Sequence, residues 1–107
     1  MGAATEERHR MRKQDILDRL RTDRDVLRQS FAVRSMALFG SVARDQALSG
    51  SDIDLLVEFD RPVGLMHMSR TARHIEELLG APVDLILRRA LLPEMRNEIL
   101  AESIDAF

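Results

Sequence analysis

The chain has 107 residues, which is enough for one domain with one modest hydrophobic core. Its composition, 45% apolar and 32% charged, excludes an intrinsically disordered protein, and its lack of cysteine excludes disulfides and thiolate chemistry. No apolar run reaches the ~20 residues of a membrane span, and no signal peptide opens the chain. We therefore expect one cytoplasmic domain over residues 1–107, without a membrane partner. The net charge of −2 and the absence of Tyr and Trp also argue against direct nucleic-acid binding.

The first half of the chain predicts a helix followed by a strand. We expect residues 1–10, which are polar, to be flexible. Residues 11–29 place leucine and isoleucine at helical spacing among many charges, which predicts a helix. Residues 34–39 are a short apolar run that ends at Gly40, which predicts a strand.

The second half predicts two strands and two helices. Residues 52–59 alternate apolar and polar side chains and predict the clearest strand of the chain. Residues 65–79 predict a helix that ends at Gly80, residues 83–87 predict a third strand, and residues 93–105 predict a last helix that begins at a proline. The apolar side chains expected to be buried by these two helices are Leu65, Met68, Ala72, Ile75, Leu79, Met95, Ile99, Leu100 and Ile104.

This order of elements predicts an α/β fold with a small mixed sheet and helices covering one face. The connection between strands 34–39 and 52–59 is too short for a crossover helix, which favours antiparallel pairing. The helix between strands 52–59 and 83–87 favours a right-handed parallel crossover.

Three carboxylates lie within or beside the apolar strands. Asp52 and Asp54 are two residues apart, so on a strand both point to one face with their Cα atoms roughly 6.5 Å apart. Asp84 lies in the middle of strand 83–87, where an acid is costly unless it is paired or bound to a metal. If the two strands are neighbours, the three acids form a cluster that suits Mg²⁺, including a two-metal site for phosphoryl chemistry.

A Gly-Ser turn precedes these acids and offers groups that can bind phosphate. Gly40 permits a positive φ or close approach of a ligand, and Ser41 offers a hydroxyl and a backbone N–H. A turn of helix over 41–46 would add a partial positive charge, and Arg44 can reach the same phosphates. The Walker P-loop pattern is absent.

Each of these features has a simpler structural interpretation when it is taken alone. Gly-Ser is an ordinary turn, Asp-x-Asp often ends a strand, and Asp84 could form an ion pair with Arg88 or Arg34. His67 and His74 are expected to be solvated, as are Glu76 and Glu77, and Met66 and Met68 are expected in the core. Glu58 lies on the same side of the predicted strand as Asp54 and could contact the metal-binding acids without binding the metal itself.

In combination, these segments resemble the minimal nucleotidyltransferase (MNT) family of the DNA polymerase beta superfamily. GSVARDQALSGSDIDLLVEF is similar to the family signature GSxxRG…SDIDLLVEF, and PVDLI to its third acidic strand. The tail LLPEMRNEILAESIDAF is similar to the family's closing helix. The resemblance covers about residues 12 to 107, and Asp45 stands where the family often has glycine.

The resemblance implies a polymerase-beta-like nucleotidyltransferase fold and a type VII-like MNT antitoxin. Such a protein would use ATP and Mg²⁺ to transfer AMP to a tyrosine of a cognate HEPN-domain ribonuclease toxin. Asp52, Asp54 and Asp84 would be the catalytic and metal-binding residues, with Asp84 also orienting or deprotonating the acceptor hydroxyl. Gly40, Ser41 and Arg44 would bind the nucleotide.

Two alternatives remain open at this point. The first is a non-catalytic antitoxin that neutralises its partner by binding alone. The second is a nucleotidyltransferase that acts on a small molecule, as aminoglycoside-modifying relatives do. The small size of the chain favours a protein acceptor, because little surface is left to enclose a second small substrate.

Overall fold

A four-stranded mixed sheet with helices on both faces is the framework of this protein, as seen in a computed structural model that describes residues 12–44 and 52–107. The flexibility expected for residues 1–10, the end of the turn expected over 41–46, and Asp45 lie outside these ranges. The helices are α1 (Lys13–Thr22), α2 (Arg24–Phe31), α3 (Gly40–Ala43), α4 (Leu65–Leu79) and α5 (Pro93–Glu102). The strands are β1 (Val33–Phe39), β2 (Ile53–Phe59), β3 (Val83–Leu87) and β4 (Ile104–Asp105), and a 3₁₀ turn covers Arg88–Ala90.

The strand order is β3-β2-β1-β4, with one parallel pair. β1 runs antiparallel to β2 and β2 runs parallel to β3, which confirms both predicted pairings. The helix α4 connects the parallel pair and ends at Gly80, whose φ of +70° caps it in the left-handed conformation as the sequence predicts.

Both faces of the sheet are covered, whereas the sequence predicted helices on one face. Alternation along the strands sends Leu38, Leu55 and Val57 to one face, where they form the main core with α1, α2 and α4. The opposite face carries Phe39 and Leu56, which pack against Ile99 and Leu100 of α5. Asp54 belongs to this second face because it alternates with Leu55, so α5 and the acids share one side of the sheet.

Two predicted helices differ from the structure at particular residues. The helix expected over 11–29 is divided at Asp23, whose backbone leaves the helical region (φ −89°, ψ 5°) between α1 and α2. The helix expected over 93–105 ends at Glu102, and Ile104 joins β4 instead. The reason is tertiary: β1 offers a free edge, and the Ala106 N–H donates to the Met36 carbonyl at 2.8 Å.

Side chains of α4 and α5 depart from the predicted burial pattern. Leu65 is 82% exposed, Met66 79% and Met95 48%, so these three lie outside the core. The buried stripe of α4 is formed by Thr71, Ile75 and Leu79. The threonine tolerates full burial because its hydroxyl donates to the His67 carbonyl at 2.8 Å.

The two histidines and one glutamate of α4 are structural residues, not solvated ones. His74 Nε2 lies 2.6 Å from the Asp23 carboxylate, and its ring stacks on Phe31. His67 Nε2 lies 2.6 Å from the Phe31 carbonyl. Glu76 accepts a hydrogen bond from the Val83 N–H at 3.0 Å, while Glu77 is exposed as expected. These contacts fasten α4 to α2 and to the start of β3.

Candidate active site

Asp54 and Asp84 lie side by side on the two parallel strands. They are register partners in the β2–β3 ladder, so their Cα atoms are about 4.8 Å apart and their side chains leave the same face. Asp54 is half-buried and Asp84 is exposed. The pairing predicted from the sequence is therefore present for these two acids.

Asp52 lies immediately before β2 and is exposed. It is close enough to Asp54 for its charge to raise the pKa of that carboxyl. Within the two described ranges, however, no three acidic or histidine side chains converge on one point as metal ligands do. The three acids thus form a looser group than the sequence predicted, as expected for like charges that repel each other.

The pKa of Asp54 is raised above its ordinary value. Partial burial is the main cause, and the negative charges of Asp84 and Asp52 add to it. The guanidinium of Arg44 acts in the opposite direction and lowers the pKa. Asp54 is therefore the centre of this group of charges, with two acids and one base within electrostatic reach.

The backbone of Gly40 lies directly against the Asp54 carboxylate. Phe39 at the end of β1 is the register partner of Asp54, which brings the next residue, Gly40, against the Asp54 carboxylate. Gly40 has a φ of +76°, and a Cβ at this position would collide with Asp54 Oδ2. Only glycine satisfies both conditions, since it lacks a Cβ and adopts positive φ without strain.

Ser41 and Arg44 follow on the short helix α3. Ser41 is half-buried in the first turn, directly after the residue that touches Asp54. Arg44 ends the helix, and its Nη1 donates to Glu102 Oε1 at 2.9 Å. Glu102 is the residue that sequence reasoning missed, because it lies 58 positions away and carries no motif.

Glu58, which the sequence placed on the side of Asp54, does not contact the acids. It accepts a hydrogen bond from the Ser35 hydroxyl at 2.7 Å, and Arg88 Nη1 lies 3.5 Å from the same oxygen. The ion pair considered for Asp84 with Arg88 is therefore replaced by one between Arg88 and Glu58.

The residues fit a divalent cation at Asp54 and Asp84. Two adjacent carboxylates on one face, with a raised pKa at one of them, form a site where a doubly positive ion removes the repulsion. Mg²⁺ commonly uses one or two carboxylates and completes its shell with water and substrate phosphates. The arrangement can therefore bind a metal–triphosphate complex next to the Gly40–Ser41 turn.

Comparison with known proteins agrees with this geometry. The nucleotidyltransferase domain family matches residues 13–106, nearly the whole described chain. The chain belongs to the nucleotidyltransferase domain family. It is 35% identical over 78 residues to the protein adenylyltransferase MntA of Thermococcus cleftensis, covering 73% of this chain and 79% of that one. The family resemblance inferred from the sequence is confirmed.

Solved structures of this nucleotidyltransferase fold superpose on the chain. A candidate minimal nucleotidyltransferase has 37% identity and a TM-score of 0.66, with 82% of this chain and 93% of that one covered. An MNT antitoxin from Shewanella oneidensis, in complex with a tri-AMPylated HEPN toxin, has 16% identity and a TM-score of 0.60, covering 85% and 71%. The predicted α/β nucleotidyltransferase fold is confirmed. No helix within the described ranges is both long and apolar enough to cross a membrane.

Proposed function

We propose that this nucleotidyltransferase is an antitoxin that transfers AMP from ATP to a tyrosine of a cognate HEPN-domain toxin and so neutralises it. The observation that carries the proposal is the pair Asp54 and Asp84, in register on one face and directly against Gly40. Relatives support the acceptor class, since MntA of Thermococcus cleftensis is named a protein adenylyltransferase. The Shewanella oneidensis complex, in which the toxin is AMPylated, supports the partner class.

The proposed reaction is an in-line displacement at the α-phosphorus of ATP. A bond forms between the tyrosine hydroxyl oxygen and the α-phosphorus, the bond to the β-phosphate bridging oxygen breaks, and pyrophosphate leaves. Asp84, the exposed acid of the pair, orients the hydroxyl and accepts its proton. Ser41 and Arg44 hold the phosphates, because they follow the turn that touches Asp54.

Asp52, Asp54 and Asp84 would hold Mg²⁺, and a second ion is compatible with three acids. When bound, the metal supplies charge neutralisation for the triphosphate and the leaving pyrophosphate. The backbone of Gly40, packed against the Asp54 carboxylate, limits where that carboxylate can lie. Asp54 thus contributes ligand charge, while Asp84 faces the acceptor side, where a partner's side chain can enter from solvent.

The acceptor tyrosine has to come from another protein, because this chain contains none. Any tyrosine-linked AMP formed in a two-protein mixture therefore identifies the partner as the acceptor. We further propose that the reaction takes place in the cytoplasm, the location expected from the sequence.

The test is a transfer assay with a purified cognate HEPN-domain protein. With ATP and Mg²⁺, intact mass spectrometry should show one or more AMP adducts on the partner and none on this chain. Asp52→Asn and Asp54→Asn should abolish the adducts. Asp25→Asn is the matched control, since it neutralises an exposed acid on α2, away from the acid group.

Two outcomes would replace this proposal. If no adduct forms and Asp52→Asn/Asp54→Asn still neutralises the partner, the chain is an antitoxin that acts by binding alone. If AMP is transferred to a small molecule without any partner protein, the chain is a small-molecule nucleotidyltransferase.

A further inference from the structure

A second candidate site lies away from the acids, at the ends of the parallel strands β2 and β3. A cavity of about 210 Å³ opens there, with Val57, Phe59, Val63 and Leu87 on its apolar side and Arg61 and Arg89 at its rim. We call it the strand-end cavity. Val57 is three residues beyond Asp54, which places the cavity roughly 10 Å along the strand from the acids.

The charges around the strand-end cavity leave one cation unpaired. Asp60 and Arg61 form an ion pair at 2.6 Å, and Glu58 is engaged by Ser35 and Arg88. Arg89 is exposed and has no ion pair or hydrogen bond with any residue of the described ranges. The cavity thus combines an apolar floor with one available guanidinium.

Two large, exposed apolar residues follow the cavity-lining loop in the sequence. Leu65 and Met66 begin α4 directly after the cavity-lining loop, and they are 82% and 79% exposed. Exposed apolar residues next to a pocket with a charged rim are typical of a protein interface, where aromatic, Met and Arg residues are enriched relative to the rest of the surface.

We propose that the strand-end cavity, Leu65, Met66 and Arg89 form the docking surface for the acceptor protein. The surface fits a segment that places one large apolar side chain in the cavity and a neighbouring carboxylate on Arg89. A second copy of this chain fits less well, because a twofold contact sets two copies of the same patch against each other, and its acids Asp60 and Glu58 are already paired with Arg61 and Arg88. The proposal rests on the proposed function, which requires a protein acceptor.

This surface would explain how a small, open site selects a protein substrate. The apolar lining of the cavity belongs to the opposite face of the sheet from Asp54, but Glu58, which also lines it, lies on the Asp54 face of β2, so a partner domain at the strand ends can reach both. Binding energy gained at the cavity then positions the acceptor hydroxyl at Asp84, so the acids need no additional residues to enclose the acceptor. Loss of the surface should therefore raise the KM for the partner and leave kcat nearly unchanged.

The experiment measures binding of the same purified HEPN-domain protein by biolayer interferometry. Arg89→Glu should raise Kd about tenfold or more, and Leu65→Asp should have a similar effect, as substitutions at central interface residues do. At saturating partner, both variants should transfer AMP at the wild-type rate. Their stabilisation by Mg²⁺ and ATP should equal that of the wild type.

Matched controls use exposed residues that lie outside the cavity. Arg73→Glu makes the same charge change further along α4, and Val26→Asp makes an apolar-to-acid change on α2. Both should leave Kd within about twofold of the wild type, as substitutions outside an interface do. Unchanged Kd in Arg89→Glu and Leu65→Asp, or equal losses in the controls, would overturn the docking surface.

Failure of the docking surface is distinguishable from failure of the proposed function. If the wild type neither binds nor modifies the HEPN protein, the proposed function fails. If the wild type does both and Arg89→Glu and Leu65→Asp behave identically to it, only the docking surface fails. A wild type that sediments as a dimer, with Arg89→Glu a monomer, would assign the surface to self-association instead.

Discussion

At the scale of single residues, Gly40 is the position where the smallest change should have the largest effect. Gly40→Ala introduces a Cβ that collides with Asp54 Oδ2 at a backbone position with φ of +76°. We expect a loss of stability of about 1–3 kcal/mol from backbone strain alone, and loss of AMP transfer because Asp54 is displaced. Chemical denaturation and the transfer assay measure the two effects separately.

Gly80→Ala is the control for this substitution. Gly80 has nearly the same φ, +70°, but an added Cβ meets no atom within 4 Å. The backbone strain is therefore shared by both variants, while the collision is specific to Gly40. If Gly80→Ala also abolishes transfer at a temperature where it is folded, the role assigned to the Gly40–Asp54 contact is wrong.

Asp54 should make the ligand-free protein less stable as pH rises. Its pKa is raised in the folded state, so the folded chain holds the proton more tightly than the unfolded chain does. The contribution of Asp54 to stability is then complete below about pH 4, the ordinary value for Asp, and is lost as pH rises through the raised pKa. Asp54→Asn removes this loss, because the amide carries no charge at any pH.

The measurement is thermal unfolding across this pH range without metal. Asp54→Asn should melt above the wild type at neutral pH, and the difference should shrink toward about pH 4. Asp25→Asn removes the same charge from an exposed position on α2 and controls for net charge. A lower melting temperature for Asp54→Asn at neutral pH would show that burial and repulsion by the neighbouring acids do not make the ionised carboxylate a net cost to the fold.

At the scale of elements, the short strand β4 depends on contacts from α1. The Arg21 guanidinium donates to the Ala106 carbonyl at 2.9 Å and to the Asp105 carbonyl at 3.0 Å. Two residues of strand pairing are a weak attachment, so these charged hydrogen bonds supply much of what holds the tail on β1. Ala106 is buried in the main core, which makes the attachment important for packing.

Arg21→Ala should therefore release the tail. We expect a loss of about 1.5–3 kcal/mol, the range for hydrogen bonds to charged groups. Amide hydrogen exchange of residues 104–107 should accelerate more than exchange in β2. Arg24→Ala breaks only an exposed contact of 3.9 Å with Asp25 and should change stability by less than about 1 kcal/mol. Equal effects of the two variants would contradict the role of Arg21.

At the scale of the whole molecule, substrate binding should stabilise the fold. Mg²⁺ with ATP should raise the melting temperature, because a ligand that binds only the folded state adds RT ln(1 + [L]/Kd) to its stability. Asp54→Asn should lose most of this rise, since the cation is held by the acid pair. Differential scanning fluorimetry with ATP alone, Mg²⁺ alone and both together gives the measurement.

Glu58→Gln serves as the control for that experiment, which contains no partner protein. It should keep the full rise in melting temperature, because Glu58 pairs with Ser35 and Arg88 rather than with the acids. Equal rises in the wild type and in Asp54→Asn would remove Asp54 from the metal site. A rise with ATP that needs no Mg²⁺ would show that the phosphates are held by cations of the chain alone.

The sequence by itself determined three of the four strands, the helix over 65–79 and the positions of the acids. These features depend on local periodicity and on glycine and proline at element ends, which act within a few residues. The spacing of Asp52 and Asp54 already placed both on one side of a strand. The parallel pairing that brings Asp84 to Asp54 followed from the connecting helix.

Only the tertiary structure decided the features that join distant parts of the chain. The break at Asp23 accompanies its contact with His74, the end of α5 at Glu102 reflects the free edge of β1, and Arg44 meets Glu102 across 58 positions. Leu65 lies on the apolar stripe of an ideal helix and Met66 was expected in the core, yet both face solvent. The physical reason is common to all: burial, ion pairing and strand edges depend on which surfaces meet, and local propensity carries no information about that.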